Sequence, residues 1–155
     1  MVQPQFLAKM FHAIMVGFVQ TGRAPHYAEL ARPLSVPPEE ARQALHQLVN
    51  MGLPTWLHPH TDYIASFAPF SNIPTQYLVS VDGKQRWYAQ CGFESLALSW
   101  LFPGKDVRID CPCLDCGDAI SIRMRDGTLL AVEPPTVVGH VNLPASRWRE
   151  NWAYT

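Results

Sequence analysis

All four cysteines of this 155-residue chain fall between positions 91 and 116, as Cys91, Cys111, Cys113 and Cys116. The chain carries no recognisable export signal, so these residues are expected to be thiols in a reducing cytosol, where structural disulfides are rare. A fold without staples must be held by a hydrophobic core. Composition permits one, with 48% hydrophobic and only 16% charged residues. The length suits one domain or two very small ones. Fourteen prolines imply several rigid connections and argue against a simple helical bundle.

The apolar N-terminal run F-L-A-K-M-F-H-A-I-M-V-G-F-V is interrupted by Lys9 and His12, and is too short and too polar to span a bilayer. It lacks the basic start and small-residue cleavage site of a signal peptide. Formal net charge is −1, so no basic field is available for nucleic-acid phosphates or an acidic membrane surface. The expectation is a cytoplasmic protein with neither nucleic acid nor membrane as partner.

Residues 3–19 carry Phe6, Met10, Ile14 and Phe18 at helical spacing, with Leu7, Phe11 and Met15 beside them, and Gly22 closes the pattern. A short helical pattern over 26–31 stops at Pro33. Ser35 reads as the N-cap of a further helix, with Pro37 and Pro38 at its start and Glu39 and Glu40 in its first turn. Ala41, Leu45, Leu48 and Val49 continue it to Gly52. This order resembles a winged helix-turn-helix unit, expected over 1–55, with a proline-punctuated linker over 56–74. Beyond it, Asp82-Gly83 joins two strand patterns as a tight hairpin. Residues 92–101 read as a helix, residues 119–132 as a second hairpin and residues 136–143 as a last strand. The expected class is α+β: a helical winged-helix-like domain, then a small mixed domain over 75–155 with antiparallel strands and a central helix. Trp87, Trp100, Trp148 and Trp152 are expected in its core and rim.

Two cysteine groups carry candidate chemistry. Cys91 stands where a strand hands over to a helix, so the helix N-terminus is expected to lower its pKa. Glu94 falls in the first turn of that helix, on the same side. The plainer alternative makes Cys91 a buried small hydrophobe and Glu94 a favourable first-turn acid. The run C-P-C-L-D-C-G places Cys111, Cys113 and Cys116 in a knuckle at the entrance to a hairpin. It offers half of a zinc site, with His140, Asp115 or Cys91 as possible fourth ligand. Its C-x-x-C also fits a redox motif, though such motifs open helices. His58 and His60 flank Pro59 in a solvated loop. On the helix over 37–51, Arg42 is the one cation and His46 stands near, whereas Glu39 and Glu40 repel phosphate, which favours a helical cap over a DNA reader.

The runs R-W-Y-A-Q-C-G-F-E-S-L-A, V-R-I-D-C-P-C-L-D-C-G and I-S-I-R-M resemble the organomercurial, or alkylmercury, lyase family over roughly residues 75–155. The resemblance implies a winged-helix-like domain joined to an α+β catalytic domain. It implies protonolysis of carbon–mercury bonds, with two thiolates holding mercury and a carboxylate passing a proton to carbon. By position, Cys91 matches the first family cysteine and Glu94 the carboxylate, which in the family is usually aspartate. Cys113 resembles a family cysteine that is generally structural. The expected partners are organomercurial small molecules, mercuric ion, and low-molecular-weight thiols or a mercuric reductase as acceptor. Mercury is then substrate and product, no cofactor is required, and a structural zinc at Cys111, Cys113 and Cys116 is the additional possibility.

The family's second catalytic cysteine follows a tryptophan-containing segment, and this sequence ends at W-R-E-N-W-A-Y-T. Three expectations compete. The gene continues past Thr155, for example through selenocysteine. Or Cys111, Cys113 or Cys116 supplies the second sulfur, with Cys113 and Cys116 foremost. Or the chain binds mercury without cleaving its carbon bond. The rivals from other classes are a non-catalytic thiol protein for mercury, zinc or copper(I), and a metal-responsive DNA-binding regulator.

Overall fold

The computed structural model describes residues 3–141 and 143–150, in two compact units, Met1–Ala68 and Pro69–Thr155. In the first unit, helix α1 (Pro4–Thr21) buries Leu7, Met10, Ile14 and Phe18, a stripe of period three to four, so Leu7 rather than Phe6 heads the buried face. Each such side chain contributes roughly 1.5–3 kcal/mol on burial. Gly22 ends α1 in the left-handed conformation (φ 79°), donating its N–H to the Phe18 carbonyl. Helix α2 (Tyr27–Ala31) starts at His26, whose Nδ1 accepts from the Ala28 N–H at 3.3 Å, while the Glu29 carboxylate accepts from the His26 N–H at 2.8 Å. Helix α3 (Pro38–Asn50) buries Ala41, Ala44, Leu45 and Leu48.

Two expectations are corrected here. Ser35 does not cap α3. It adopts φ 58°, and Pro37 takes the cap position in extended geometry, because the two prolines already supply the helical φ without a side-chain cap. The segment 56–74 is not a linker throughout. Strands β1 (Thr55–Leu57) and β2 (Ile64–Phe67) pair antiparallel within the first unit, and every β2 residue is buried. Phe67 meets the Phe11 ring at 5.2 Å, so the apolar side of α1 gives this short strand its reason to form.

The second unit contains strands β3 (Phe70–Ser71), β4 (Leu78–Val81), β5 (Lys84–Ala89), β6 (Val107–Pro112), β7 (Ala119–Arg125) and β8 (Thr128–Glu133). They lie in the order β3-β5-β4-β6-β7-β8, with antiparallel pairing at each join. Asp82-Gly83 and Asp126-Gly127 make the two tight hairpins, both residues of each pair having positive φ, as a type I′ turn demands. At Gly127 a second reason for glycine is steric: the Trp100 indole occupies the place a Cβ would take. Val79, Trp87 and Ile109 share one row on the buried face. Helix α4 (Gly92–Ala97) and a following 3-10 turn (Leu98–Leu101) lead to Phe102, whose ring meets Trp87 edge-on at 4.8 Å.

The strand expected over 136–143 does not form. Described residues there run as a turn and irregular chain, and Gly139 packs under the Phe93 ring instead of joining a ladder. Trp87 is in the core, whereas Trp100 is 68% exposed; Trp148 is half-buried, with its indole N–H donating to the Leu143 carbonyl. Trp152 lies outside the described residues. No helix among the described residues is long and apolar enough to cross a membrane.

Candidate active site

The chain leaves β5 at the fully buried Ala89 and passes through Gln90, whose N–H donates to the Pro69 carbonyl at 2.9 Å. Cys91 follows in extended geometry (φ −147°, ψ 176°) as the N-cap of α4. Its carbonyl accepts the first helical bond, from the Ser95 N–H at 3.0 Å. The Ser95 hydroxyl donates to the Gly92 carbonyl at 2.6 Å, fastening the same turn. A Cβ at Gly92 would stand in ordinary van der Waals contact, 3.4 Å, with the Tyr77 ring and hydroxyl, so the buried Tyr77 lies against the first turn of α4. Sequence pattern alone did not single out Tyr77; its place near the start of the alternating run Q-Y-L-V-S-V, one residue before β4, was the available signal.

Three residues on, Glu94 turns back to Cys91, and the thiol donates toward its carboxylate. The other carboxylate oxygen, Oε2, is buried with no hydrogen-bond partner among the described residues. Burial pushes the Glu94 carboxyl up to about 7, against the opposing pull of the Cys91 thiol. The lowered thiol pKa expected for Cys91 is overturned. Burial pushes it up, and the adjacent Glu94 carboxylate adds to that, while the backbone N–H groups of Glu94 and Phe93 pull down less strongly. The start of a helix only six residues long does not offset that desolvation. Cys91 and Glu94 therefore form a neutral thiol beside a carboxyl poised to give or take a proton near neutral pH.

The knuckle is built on the end of β6. The Cys113 N–H donates to the Asp118 carbonyl at 2.7 Å and the Gly117 N–H donates to the Cys113 carbonyl at 3.0 Å, closing a tight loop with Gly117 at φ 80°. Cys113 is pulled below the ordinary thiol range by the backbone N–H groups of Cys116 and Asp115 and by the Cys116 thiol. For Cys116 the Asp118 N–H pulls down, but the Cys113 sulfur and the Asp118 carboxylate carry the balance upward. Cys111 is half-buried and raised, first by burial and then by the Asp110 carboxylate. All four cysteines are free thiols. The structure thus brings Cys91 to Glu94 and Cys113 to Cys116, but gathers no group of three His, Cys, Asp or Glu side chains suited to a metal ion among the described residues. His140 is exposed.

In the first unit, Arg42 and His46 are held by Asp62, at 2.8 Å through Nε and 2.6 Å through Nε2. The one cation of α3 is thereby engaged within its own unit, a pairing that needed the β1–β2 hairpin to be visible.

Comparison with known proteins gives this geometry a context. The family model described as alkylmercury lyase matches residues 70–155. Alkylmercury lyases of Bacillus cereus and Clostridium butyricum are each 36% identical over 72 residues, covering 46% of this chain and 32% of theirs. The alkylmercury lyase of Staphylococcus epidermidis is 28% identical over 116 residues, covering 75% of this chain and 50% of its own. The chain thus spans between a third and a half of the length of these curated relatives. The crystal structure of the mercury-bound form of MerB2 superimposes with a TM-score of 0.69 at 19% identity, over 87% of this chain and 63% of that one, which establishes a shared fold. With more than half of its residues matched by the family model, the chain belongs to the alkylmercury lyase family.

Proposed function

We propose that this protein cleaves carbon–mercury bonds by protonolysis, with Cys91 as the first mercury-binding thiolate and Glu94 as the proton shuttle. The single observation that carries this is the Glu94 carboxyl: half-buried, missing a partner at Oε2, and held at about 7 beside the Cys91 thiol. A carboxyl with that pKa is well matched to general acid–base work near neutrality. Mercury is soft and prefers sulfur. As a Cys91–mercury bond forms, the thiol proton passes to Glu94. Glu94 then delivers it to the carbon as the carbon–mercury bond breaks, its electron pair staying with the carbon. A hydrocarbon leaves, and mercuric ion remains on Cys91 and a second sulfur, whose own proton is released to solvent. That second sulfur is drawn from Cys111, Cys113 or Cys116. Organomercurials are the substrates, and small thiols or a mercuric reductase the acceptors.

We also infer that the first unit is winged-helix-like, on the strength of three helices followed by an antiparallel hairpin. A role on DNA finds no support in α3, where Arg42 pairs with Asp62 and the first turn is acidic. The test is benzene release from phenylmercury in excess thiol. The parent chain is expected to turn over and Cys91→Ser to fall to background; mercury retention without benzene would instead leave a thiol metal-binding protein.

A further inference from the structure

The knuckle holds two sulfurs that no step of the proposed cleavage requires together. Cys113 and Cys116 sit on one tight loop, fixed by the bonds between Cys113 and Asp118 and between Gly117 and Cys113. Cys113 is half-buried, Cys116 is exposed, and neither is bridged. Their side chains are in hydrogen-bond contact. Two sulfurs held this way suit a soft ion that is content with two ligands. They do not suit zinc, which takes four donors: the Asp118 carboxylate lies against Cys116, but no group of three His, Cys, Asp or Glu able to hold a metal ion forms among the described residues.

Register fixes where this pair stands. Tyr88 of β5 and Asp110 of β6 both pair with Leu78 of the intervening β4. Since β4 is antiparallel to each, β5 and β6 run the same way, about 10 Å apart. Cys91 comes three residues after Tyr88 and Cys113 three residues after Asp110. Both strands therefore deliver a cysteine past the same end of the sheet. On β6 itself, Cys111 continues the alternation of Val107 and Ile109, which are buried, and is half-buried. Cys91, Cys111 and Cys113 are half-buried, and Cys116 is exposed.

We propose that Cys113 and Cys116 form a surface dithiol that takes up mercuric ion by thiol exchange, as a discharge site separate from Cys91. Two sulfur–mercury bonds form at Cys113 and Cys116, two bonds to the previous ligands break, and the two thiol protons go to those departing ligands. Nothing is oxidised or reduced. Only the source of the ion rests on the cleavage proposed above; uptake by the dithiol can be measured without it.

The test is a titration with mercuric chloride against 2-mercaptoethanol as competitor. C91S/C111S, which keeps only the knuckle pair, is expected to retain one ion per chain. Removing either remaining sulfur, as C91S/C111S/C113S or C91S/C111S/C116S, is expected to weaken retention on the order of 10²–10⁴-fold, the scale on which a second tethered ligand acts. Zinc chloride under the same conditions is expected not to be retained. On the unaltered chain, mass spectrometry after iodoacetamide should find the Cys113 and Cys116 thiols protected together by mercuric ion. Failure of C91S/C111S to hold mercury, or equal retention by its single-sulfur derivatives, overturns the proposal. Separate alkylation of the two thiols in the loaded parent chain does so as well. Absence of benzene release from the parent chain would sink the cleavage reading while leaving this titration to decide the dithiol on its own.

Discussion

Cys91 and Cys113 leave the same end of one sheet, from β5 and β6, yet their thiols are pushed in opposite directions. Cys91 is half-buried at the start of its turn and stands beside an acid; desolvation and the neighbouring carboxylate keep its proton on. Cys113 lies in a loop whose backbone N–H groups and second thiol stabilise its anion. The difference teaches that a nearby helix start does little by itself for a thiol. What counts is whether donors outweigh burial. It also suits the division of labour proposed above: a protonated thiol beside a carboxyl for the cleavage, and a thiol lowered by its loop beside an exposed one for taking up the freed ion.

The largest effect should come from breaking the acid side of the comparison. Glu94→Gln keeps the shape of the turn and removes the exchangeable carboxyl proton. Benzene release from phenylmercury is expected to fall by about 10²–10⁴-fold, the usual weight of one general acid, while mercuric ion retention stays at the parent level. Cleavage at the parent rate would show that the proton reaches carbon by another route.

A smaller effect should sharpen the thiol contrast directly. Alkylation by iodoacetamide at pH 7, followed by mass spectrometry, is expected to modify Cys113 roughly three- to tenfold faster than Cys91. Each unit of pKa changes the thiolate fraction tenfold, but lower basicity returns about half of that in nucleophilicity. Faster reaction at Cys91 would reverse the assignment of environments.

How much of this was legible in the letters depends on how local the cause was. The Asp82-Gly83 and Asp126-Gly127 hairpins were, because positive φ at both positions is written into those dipeptides. So was the α1 stripe, apart from the exchange of Phe6 for Leu7 at its head. Strands β1 and β2 were not legible: they are three and four residues long, lie among prolines, and form because Phe67 has the side of α1 to pack on. The alternation at 136–143 pointed to a strand that has no ladder to join, since Gly139 is occupied under Phe93. At the site, the spacing of Cys91 and Glu94 was enough to put them on one turn. The sign of the Cys91 shift was not, because it turns on burial, which is set by packing and not by spacing along the chain.

The smallest effect expected is on stability, and its sign follows from Glu94. Its pKa is raised from 4.5 in the unfolded chain to about 7 in the folded one. The folded state therefore binds more proton between these values, and stability falls as pH rises through that window. Below about 4.5 both states are protonated and the favourable term is fully present; above about 7 the buried carboxylate, with Oε2 unpartnered, weighs against folding. Glu94→Gln is neutral throughout and should escape this decline. Thermal melts of parent and variant are expected to converge near pH 4.5 and to separate in the variant's favour toward pH 8, so that the substitution expected to slow cleavage should make the fold firmer. Parallel melting curves across that range would mean that Glu94 is solvated after all, and the contrast between a sheltered acid–thiol pair and an open dithiol would lose its sheltered half.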